Sequence, residues 1–280
     1  MDEQDCIEAI FALPAPDGRF DAKTAALARR LSARRRSVIL AFAPKAAGTF
    51  FRSAAVIAAD GQLVRAVHAQ GERDAQLYLP TFLNYFLGKV TSYTLVAHVH
   101  MQAFAANRRF IEAFDLKPIV MLRSIPDMLA SYWDMLMTDP EARREGLNCR
   151  IPTAFSTLER EQQANFLIDI LGPWYASYFA TWLSYAEESP GRVCVLDYNA
   201  FVADPAAVLR AALAHCGIER SAKVCRTAIA ESWRDRSEMR FNKGTSGRGH
   251  TYFTTEQVER LERLLSYYDL STERHDLLVT

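Results

Sequence analysis

The residues with the clearest chemical potential lie between Pro44 and Phe51, where an apolar run passes into a short loop containing Lys45 and Gly48. The apolar run, residues 37–43, is typical of a buried parallel strand, and residues 49–58 favour a helix. The backbone N–H groups and the dipole at the start of such a helix attract anions. The segment therefore predicts a phosphate-binding loop.

This loop departs from the pattern that binds nucleoside triphosphates. In that pattern, G-x-x-x-x-G-K-[ST], Lys follows the second Gly and a hydroxyl ligates magnesium. Here Lys45 precedes the only glycine of the loop, Gly48, and no Lys-Ser or Lys-Thr pair follows. The anion is therefore expected to be something other than a magnesium-bound triphosphate.

The composition restricts the class of protein without selecting one. With 280 residues, 50% of them hydrophobic, the chain can bury one large core, and we expect a single domain over residues 1–280. The 33 Lys and Arg balance the 33 Asp and Glu, so the net charge gives no reason to expect nucleic acid or an anionic membrane as partner. An acidic start and the lack of an apolar run of roughly 20 residues favour a cytoplasmic protein without signal peptide or transmembrane segment. The five scattered cysteines are expected to be reduced packing residues.

Predicted strands and helices alternate along the chain. The strands cover residues 37–43, 61–69, 94–99, 117–122 and 192–196. The helices cover 21–36, 49–58, 76–87, 102–114, 126–137, 158–186 with a break near Gly172, 205–216, 223–232 and 255–268, and 138–150 is predicted to be a polar loop. This alternation predicts an α/β fold with a parallel sheet, in which ligands bind at the carboxyl ends of the strands.

Arg123 directly follows one of these strands, and Ser131 lies on the helix after it. A guanidinium at this place can bind a phosphate bidentately, and the serine hydroxyl can add a hydrogen bond. The alternative is a local ion pair between Arg123 and Asp127.

Two histidines, His98 and His100, end another strand, and their spacing puts them on one face. A metal site would need a third ligand, which is not evident nearby. A base that accepts a proton from a hydroxyl is the favoured interpretation for His100, with His98 as the other candidate. Backbone-bonded structural histidines remain the alternative.

The segment 240–250 is cationic and contains three glycines. Such a segment can close over a phosphate, although the same composition also occurs in solvated surface loops.

Taken together, these segments resemble the sulfotransferases that use 3'-phosphoadenosine 5'-phosphosulfate (PAPS), over residues 37–254. Residues 44–49 resemble their 5'-phosphosulfate loop, P-K-[SA]-G-T-[TF], and Arg123 with Ser131 resembles their 3'-phosphate element, R-x-P-x-D-x-x-x-S. His100 is similar to the catalytic histidine of the family. Tyr198 lies in a segment similar to L-x-Y-E-D-L-x-x-D-P, in which the tyrosine lies near the adenine.

The cationic segment resembles the family's R-K-G-x-x-G segment, which closes over the 3'-phosphate. Asn242 replaces its arginine, so Arg248 is an alternative source of that contact. The phosphate loop carries one extra residue in Ala46-Ala47, and Phe50 stands where a hydroxyl often lies. These departures resemble bacterial members of the superfamily.

The resemblance implies a P-loop-like three-layer sandwich, with a central parallel sheet flanked by helices, and PAPS as co-substrate with 3',5'-adenosine bisphosphate (PAP) as product. It implies no metal. His100 would act as base, Lys45 would stabilise the leaving group, and Ser131 would also belong to the catalytic set. The implied nucleotide-binding residues are Lys45, Ala46, Ala47, Gly48, Thr49, Phe50, Arg123, Ser131, Tyr198, Asn242, Lys243 and Gly244.

The acceptor is expected to be a hydroxyl of a small molecule, a lipid or a glycan, acted on by a monomer or homodimer. Two other functions remain open: a small-molecule kinase that uses ATP, and a non-catalytic nucleotide-binding relative. Aromatic residues between the motifs could line an acceptor pocket, but a core position is favoured for most of them. They are Tyr78, Phe82, Tyr85, Phe86, Trp174, Tyr175, Tyr178 and Trp182.

Overall fold

The computed structural model describes residues 22–64, 77–78, 94–145, 149–234 and 246–279. The strands in this part are β1 (Arg36–Ala41), β2 (Gly61–Val64), β3 (Thr94–Val99), β4 (Ile119–Leu122) and β5 (Cys194–Asp197). The helices are α1 (Ala22–Ser32), α2 (Gly48–Ala59), α3 (Ala105–Ala113), α4 (Ile125–Thr138), α5 (Pro140–Glu145), α6 (Arg160–Phe166), α7 (Gly172–Glu188), α8 (Tyr198–Ala203), α9 (Pro205–His215), α10 (Ala222–Arg234), α11 (Gly249–Tyr252), α12 (Thr255–Leu265) and α13 (Thr272–Val279).

The five strands form one parallel sheet in the order β2-β3-β1-β4-β5. The buried apolar run of β1 places it in the middle, where it pairs with β3 from Arg36 opposite Thr94 to Ala41 opposite Val99. From β1 the chain turns towards β2 and β3, whereas from β4 it turns towards β5. The carboxyl ends of β1 and β4 therefore flank a topological switch point, where ligands bind in open parallel sheets.

The helices flanking the sheet start and stop where the sequence provides caps. Asp197 caps α8 by accepting from the N–H of Ala200, and Asp204 caps α9 by accepting from the N–H of Ala207. The predicted break near Gly172 is wrong, because the helical backbone continues from Arg160 to Glu188 and changes only to a π-helical turn at Leu167–Leu171. Gly172 lets this turn pack closely on α12, because a Cβ would lie 2.7 Å from Leu261 Cδ2, and that side chain would have to shift.

Several parts of the chain differ from the sequence-based prediction. The segment predicted as a polar loop, 138–150, contains α5, and α8, α11 and α13 were not predicted. The predicted helix 21–36 ends at Ser32, and Arg36 already belongs to β1. Asp139 accepts from the N–H groups of Glu141 and Ala142 ahead of Pro140, so the Asp-Pro pair that suggested a loop is in fact a helix start. The predicted helix at 76–87 and the end of the predicted strand after Val64 fall almost entirely outside the described residues.

The state of the cysteines can be compared with the sequence-based prediction. Cys149, Cys194, Cys216 and Cys225 are free thiols, as predicted, and Cys6 lies outside the described residues. Burial raises the pKa of Cys194 to about 11.

Within the described part of the chain, every helix is too short or too polar to cross a membrane.

Candidate functional site

The loop after β1 reverses the chain into α2 through two non-glycine residues in the left-handed region, Lys45 (φ 67°) and Ala47 (φ 61°). Each such residue costs about 1–2 kcal/mol, so tertiary contacts must hold the loop in this form. Within the loop and α2, the first bond of the helix runs from the N–H of Phe51 to the carbonyl of Ala47. The N–H groups before Phe51 lie in the first turn, where a helix leaves its donors available for an anion.

Three buried side chains hold the loop by its carbonyl oxygens. The hydroxyl of Tyr175 donates to Pro44 O over 3.0 Å, and the hydroxyl of Tyr178 donates to Ala41 O. Arg123 donates from Nη1 to Lys45 O over 2.5 Å. Burial raises the pKa of Tyr178 well above its usual value, which keeps this hydroxyl protonated as a donor. The two tyrosines, together with Trp182, which donates to Met101 O, are core residues as predicted.

Gly48 begins α2 in close contact with the neighbouring strand. A Cβ at this position would lie 2.2 Å from Nε2 and 2.4 Å from Cε1 of His98. Gly48 is absent from the residues with positive φ, so the requirement for glycine is steric rather than conformational. The imidazole of His98 therefore forms one wall of the phosphate loop.

The two histidines lie together, as their spacing predicts. The ring centroids of His98 and His100 are 5.2 Å apart in an edge-on arrangement, and His100 is buried directly after β3. Among the described residues, no group of three or more His, Cys, Asp or Glu side chains is arranged to hold a metal ion.

Arg123 lies between the phosphate loop and α8. Its side chain is 7% exposed, its Cζ lies 4.1 Å from the ring centroid of Tyr198, and Nη1 is bonded to Lys45 O. Its Nε is buried and has no hydrogen-bond partner in the described part of the chain. Burial lowers the pKa of Arg123, but a guanidinium stays charged at any ordinary pH. A buried cation with an unused donor is suited to bind an anion.

The alternative pairing of Arg123 with Asp127 is not found among the ion pairs of the described residues. The carboxylate of Asp127 accepts instead from the N–H groups of Gly247 and Gly249. Ser131 is buried one turn further along α4. Nζ of Lys45 lies 3.7 Å from Met135 Sδ of the same helix, so α4 borders the phosphate loop on this side.

The family model for the sulfotransferase domain matches residues 86–269. The chain belongs to the sulfotransferase family. The matched region includes His100, Arg123, Ser131 and Tyr198, but it begins after the phosphate loop. Comparison with curated proteins gives no match.

Solved structures similar to this sulfotransferase include mouse sulfotransferase SULT7A1 complexed with PAP, at 14% identity and a TM-score of 0.61, covering 94% of this chain and 97% of that one. Retinol dehydratase in a complex with retinol and PAP matches at 12% identity and a TM-score of 0.50, covering 97% of both chains. A sulfotransferase from Alicyclobacillus acidocaldarius matches at 18% identity and a TM-score of 0.47, covering 86% of this chain and 99% of that one. The likeness to the mouse protein confirms the predicted α/β fold with a central parallel sheet flanked by helices.

An aromatic cluster beside Arg123 was only partly anticipated from the sequence. The ring of Phe50 packs 4.7 Å from the ring of Trp233 and 5.9 Å from that of Phe201. Phe201 in turn packs against Tyr198. Trp233 is 36% exposed, so the cluster reaches the surface. The signal that could have indicated Trp233 is an aromatic residue at the end of a helix just before the cationic segment.

The cationic segment is described only from Ser246 onwards, and Asn242, Lys243 and Gly244 lie outside the described residues. Arg248 of this sulfotransferase donates to Asp134 Oδ2 over 2.5 Å and to the hydroxyl of Tyr252 over 2.9 Å. Its guanidinium is thus bound to Asp134 of α4 and to Tyr252, and neither of these contacts involves the phosphate loop.

Proposed function

We propose that this sulfotransferase transfers the sulfuryl group of PAPS to the hydroxyl of an acceptor. The observation that carries this proposal is the arrangement of Arg123, which is buried, lies on the ring of Tyr198, is bonded to the phosphate loop and keeps Nε unused in the described part of the chain. A nucleotide with a phosphate at the 3' position fits this arrangement. The guanidinium of Arg123 would bind the 3'-phosphate, and the adjacent ring of Tyr198 is suited to contact the base. The neighbours SULT7A1 and retinol dehydratase are both complexed with PAP, which supports the same choice.

The 5' end of PAPS would bind at the loop between β1 and α2. The N–H groups of Ala47, Gly48, Thr49 and Phe50 would hold its 5'-phosphate at the start of the helix. Lys45 would neutralise the charge that develops on the bridging oxygen of the leaving nucleotide. Arg123, Ser131, Asn242, Lys243 and Gly244 would hold the 3'-phosphate, with Tyr198 near the adenine.

The chemical step would need a base beside the acceptor. His100 would take the hydroxyl proton while the acceptor oxygen forms a bond to sulfur and the bond from sulfur to the 5'-phosphate oxygen breaks, releasing PAP. Catalysis of this kind depends on positioning and charge stabilisation, as in phosphoryl transfer. Lys45 and the N–H groups of the loop would neutralise the charge that magnesium neutralises in kinases, so no metal is required.

We further propose a single domain over residues 1–280, active in the cytoplasm as a monomer or homodimer. The acceptor would be a small molecule, a lipid or a glycan with a free hydroxyl. The complex of retinol dehydratase contains retinol, a small apolar alcohol, which makes such alcohols the first acceptors to test.

Two measurements test this function. Calorimetry with PAP and with ATP, each with and without magnesium, should give tighter binding of PAP and no magnesium requirement. A mass-spectrometric screen of alcohols and glycans with PAPS should then detect a mass gain of one sulfuryl group. Tighter binding of ATP would overturn the proposal in favour of a kinase, and PAP binding without any turnover would favour a non-catalytic relative.

A further inference from the structure

Asp127 holds the segment 246–252 against the start of α4. The carboxylate is 1% exposed, and each of its oxygens accepts one backbone N–H, Oδ2 from Gly247 over 2.8 Å and Oδ1 from Gly249 over 2.7 Å. Both oxygens are thus directed at the segment.

The fit between the segment and α4 leaves no room for a side chain at Gly249. A Cβ there would lie 2.3 Å from Pro126 Cβ and 2.9 Å from the Pro126 carbonyl carbon. The backbone of the segment therefore packs directly on the first turn of α4, and Asp127 is the polar group that fixes it there.

Two further contacts hold the same segment at its ends. Asp134, two turns along α4, accepts from Arg248 and from the hydroxyl of Tyr252, each over 2.5 Å. Ser246 donates to Asn199 Oδ1 over 2.5 Å, next to Tyr198. The segment thereby joins α4 to α8, the two helices that flank Arg123.

The segment also affects the charge around Arg123. Burial lowers the pKa of Arg123 most, while the charge of Asp127 raises that pKa and the charge of Arg248 lowers it. Asp127 and Arg248 therefore both lie within electrostatic range of the guanidinium.

We propose that Asp127 is a positioning residue of the nucleotide site, which fixes segment 246–252 on α4 and so sets the surroundings of Arg123 and Ser131. The inference rests on the proposed function, because it concerns the place assigned to the 3'-phosphate. It predicts that Asp127 raises the affinity for nucleotides that carry a 3'-phosphate through the position of the segment, and not through a contact of its own with the nucleotide.

The test compares Asp127→Asn with the wild type in calorimetric titrations of PAP and of 5'-AMP, which lacks the 3'-phosphate. The amide keeps the size of the side chain but can accept only one of the two N–H bonds. We expect PAP binding to weaken about tenfold or more and 5'-AMP binding to change by less than about threefold. In turnover, KM for PAPS should rise by a similar factor, while kcat at saturating PAPS stays within about threefold.

Asp204→Asn is the matched control for stability. Asp204 also accepts a backbone N–H at a helix start, from Ala207 of α9 over 3.0 Å, away from the segment. The Asn amide can still accept this single bond, so Asp204→Asn should change the melting temperature little and show no preference between PAP and 5'-AMP.

Gly249→Ala is the second variant and changes no charge. Its Cβ would push the segment away from Pro126, so it should reproduce the selective loss of PAP affinity. Gly217→Ala is its control, because Gly217 has φ +71° and nothing within 4 Å of a Cβ, so that only backbone strain is added.

Trp133 gives a readout that does not depend on any nucleotide. Its ring is 5.6 Å from that of Tyr252 and 5.9 Å from that of Phe253, so the end of the segment covers it. Acrylamide quenching attributable to Trp133, obtained by subtracting the signal of Trp133→Phe, should increase in Asp127→Asn and in Gly249→Ala.

The outcomes separate this inference from the proposed function. A wild type that binds no PAP would overturn both. A wild type that binds PAP, with folded Asp127→Asn and Gly249→Ala variants that bind it equally well, would overturn only the role of Asp127. Equal losses for PAP and 5'-AMP would overturn it too, since a merely structural role affects both nucleotides alike.

Discussion

The imidazole of His98 lies so close to the backbone of Gly48 that a Cβ on the glycine would be 2.2 Å from Nε2. The two residues come from different elements, the strand β3 and the start of α2, and β3 pairs with β1 along its whole length. The glycine of the phosphate loop is therefore dictated by a side chain on the adjacent strand.

This contact predicts that Gly48→Ala displaces either the loop or His98. Because a misplacement of about 1 Å costs catalysis roughly 100-fold, we expect a loss of that order in kcat/KM, together with weaker PAP binding in calorimetry. The double variant Gly48→Ala with His98→Ala makes room for the new methyl group. It should bind PAP more tightly than Gly48→Ala alone, and the effects of the two substitutions on PAP affinity should be non-additive by a coupling energy of about 0.5–3 kcal/mol.

Gly191→Ala serves as the control for this pair, since Gly191 has φ +78° and nothing within 4 Å of a Cβ. It should affect stability alone. Additive effects of Gly48→Ala and His98→Ala on PAP affinity would contradict the steric explanation.

Arg123 is predicted to contribute more through its shape than through its charge. Arg123→Lys keeps a cation but loses both the planar contact with Tyr198 and the bond to Lys45 O. We expect PAP affinity to fall about 10- to 100-fold, because charge-assisted and bidentate bonds of arginine are not replaced by an ammonium group. Binding of 5'-AMP should fall less, because this nucleotide loses only the support that Arg123 gives the phosphate loop through Lys45 O, as measured by calorimetry.

The matched control is Arg220→Lys, which removes guanidinium bonds to the carbonyls of Ala58 and Ala59 at the far end of α2. It should lower the melting temperature and leave PAP affinity intact. Equal loss of PAP and 5'-AMP affinity in Arg123→Lys would be inconsistent with a 3'-phosphate site.

The sequence was sufficient for the elements that carry the site. The apolar run of β1, the glycine loop and the order of strands and helices follow from local patterns, and the structure places the loop, His100 and Arg123 at the carboxyl ends of neighbouring strands as expected. Periodicity also placed His98 and His100 on one face, and their rings lie 5.2 Å apart.

Contacts between distant segments could not be predicted in the same way. Tyr175 and Tyr178 looked like core aromatics, and nothing local indicates that their hydroxyls hold Pro44 and Ala41, more than 130 residues earlier. Asp127 looked like a partner for Arg123, four residues away, but it binds backbone groups 120 and 122 residues later. Local spacing favours the nearby cation, whereas packing of the segment 246–252 on α4 decides the partner.

His100 is predicted to serve the chemical step and not nucleotide binding. His100→Ala should lower kcat by at least about 100-fold, the usual contribution of a general base, while PAP affinity changes little. His98→Ala should instead weaken PAP binding, because His98 contacts Gly48. Calorimetry and a sulfation assay on both variants separate the two roles, and His215→Ala, remote from the loop, is the control. Near wild-type turnover in His100→Ala would transfer the base role to His98.

The burial of Tyr178 predicts that the free energy of unfolding decreases at alkaline pH. Burial raises its pKa above the unfolded value of about 10, so above that pH the unfolded chain has lost a proton that the folded chain retains. The folded state then binds more protons, and its free energy of unfolding falls by up to about 1.4 kcal/mol per pH unit. This contribution is complete below pH 10 and is lost as pH rises towards the folded pKa.

Tyr178→Phe removes both the titration and the hydrogen bond to Ala41 O. Urea unfolding should show a loss of about 1–3 kcal/mol at pH 8, because a buried carbonyl is left without its donor, and the gap to wild type should narrow above pH 10. Tyr267→Phe is the control, since Tyr267 is 77% exposed, and its gap to wild type should stay small at every pH. A difference in unfolding free energy between Tyr178→Phe and wild type that stays constant from pH 8 to pH 11 would contradict the raised pKa. The hydroxyl of Tyr178 would then lose its proton in the folded protein, and the hydrogen bond that it donates to Ala41 O at the end of β1 would break before the protein unfolds.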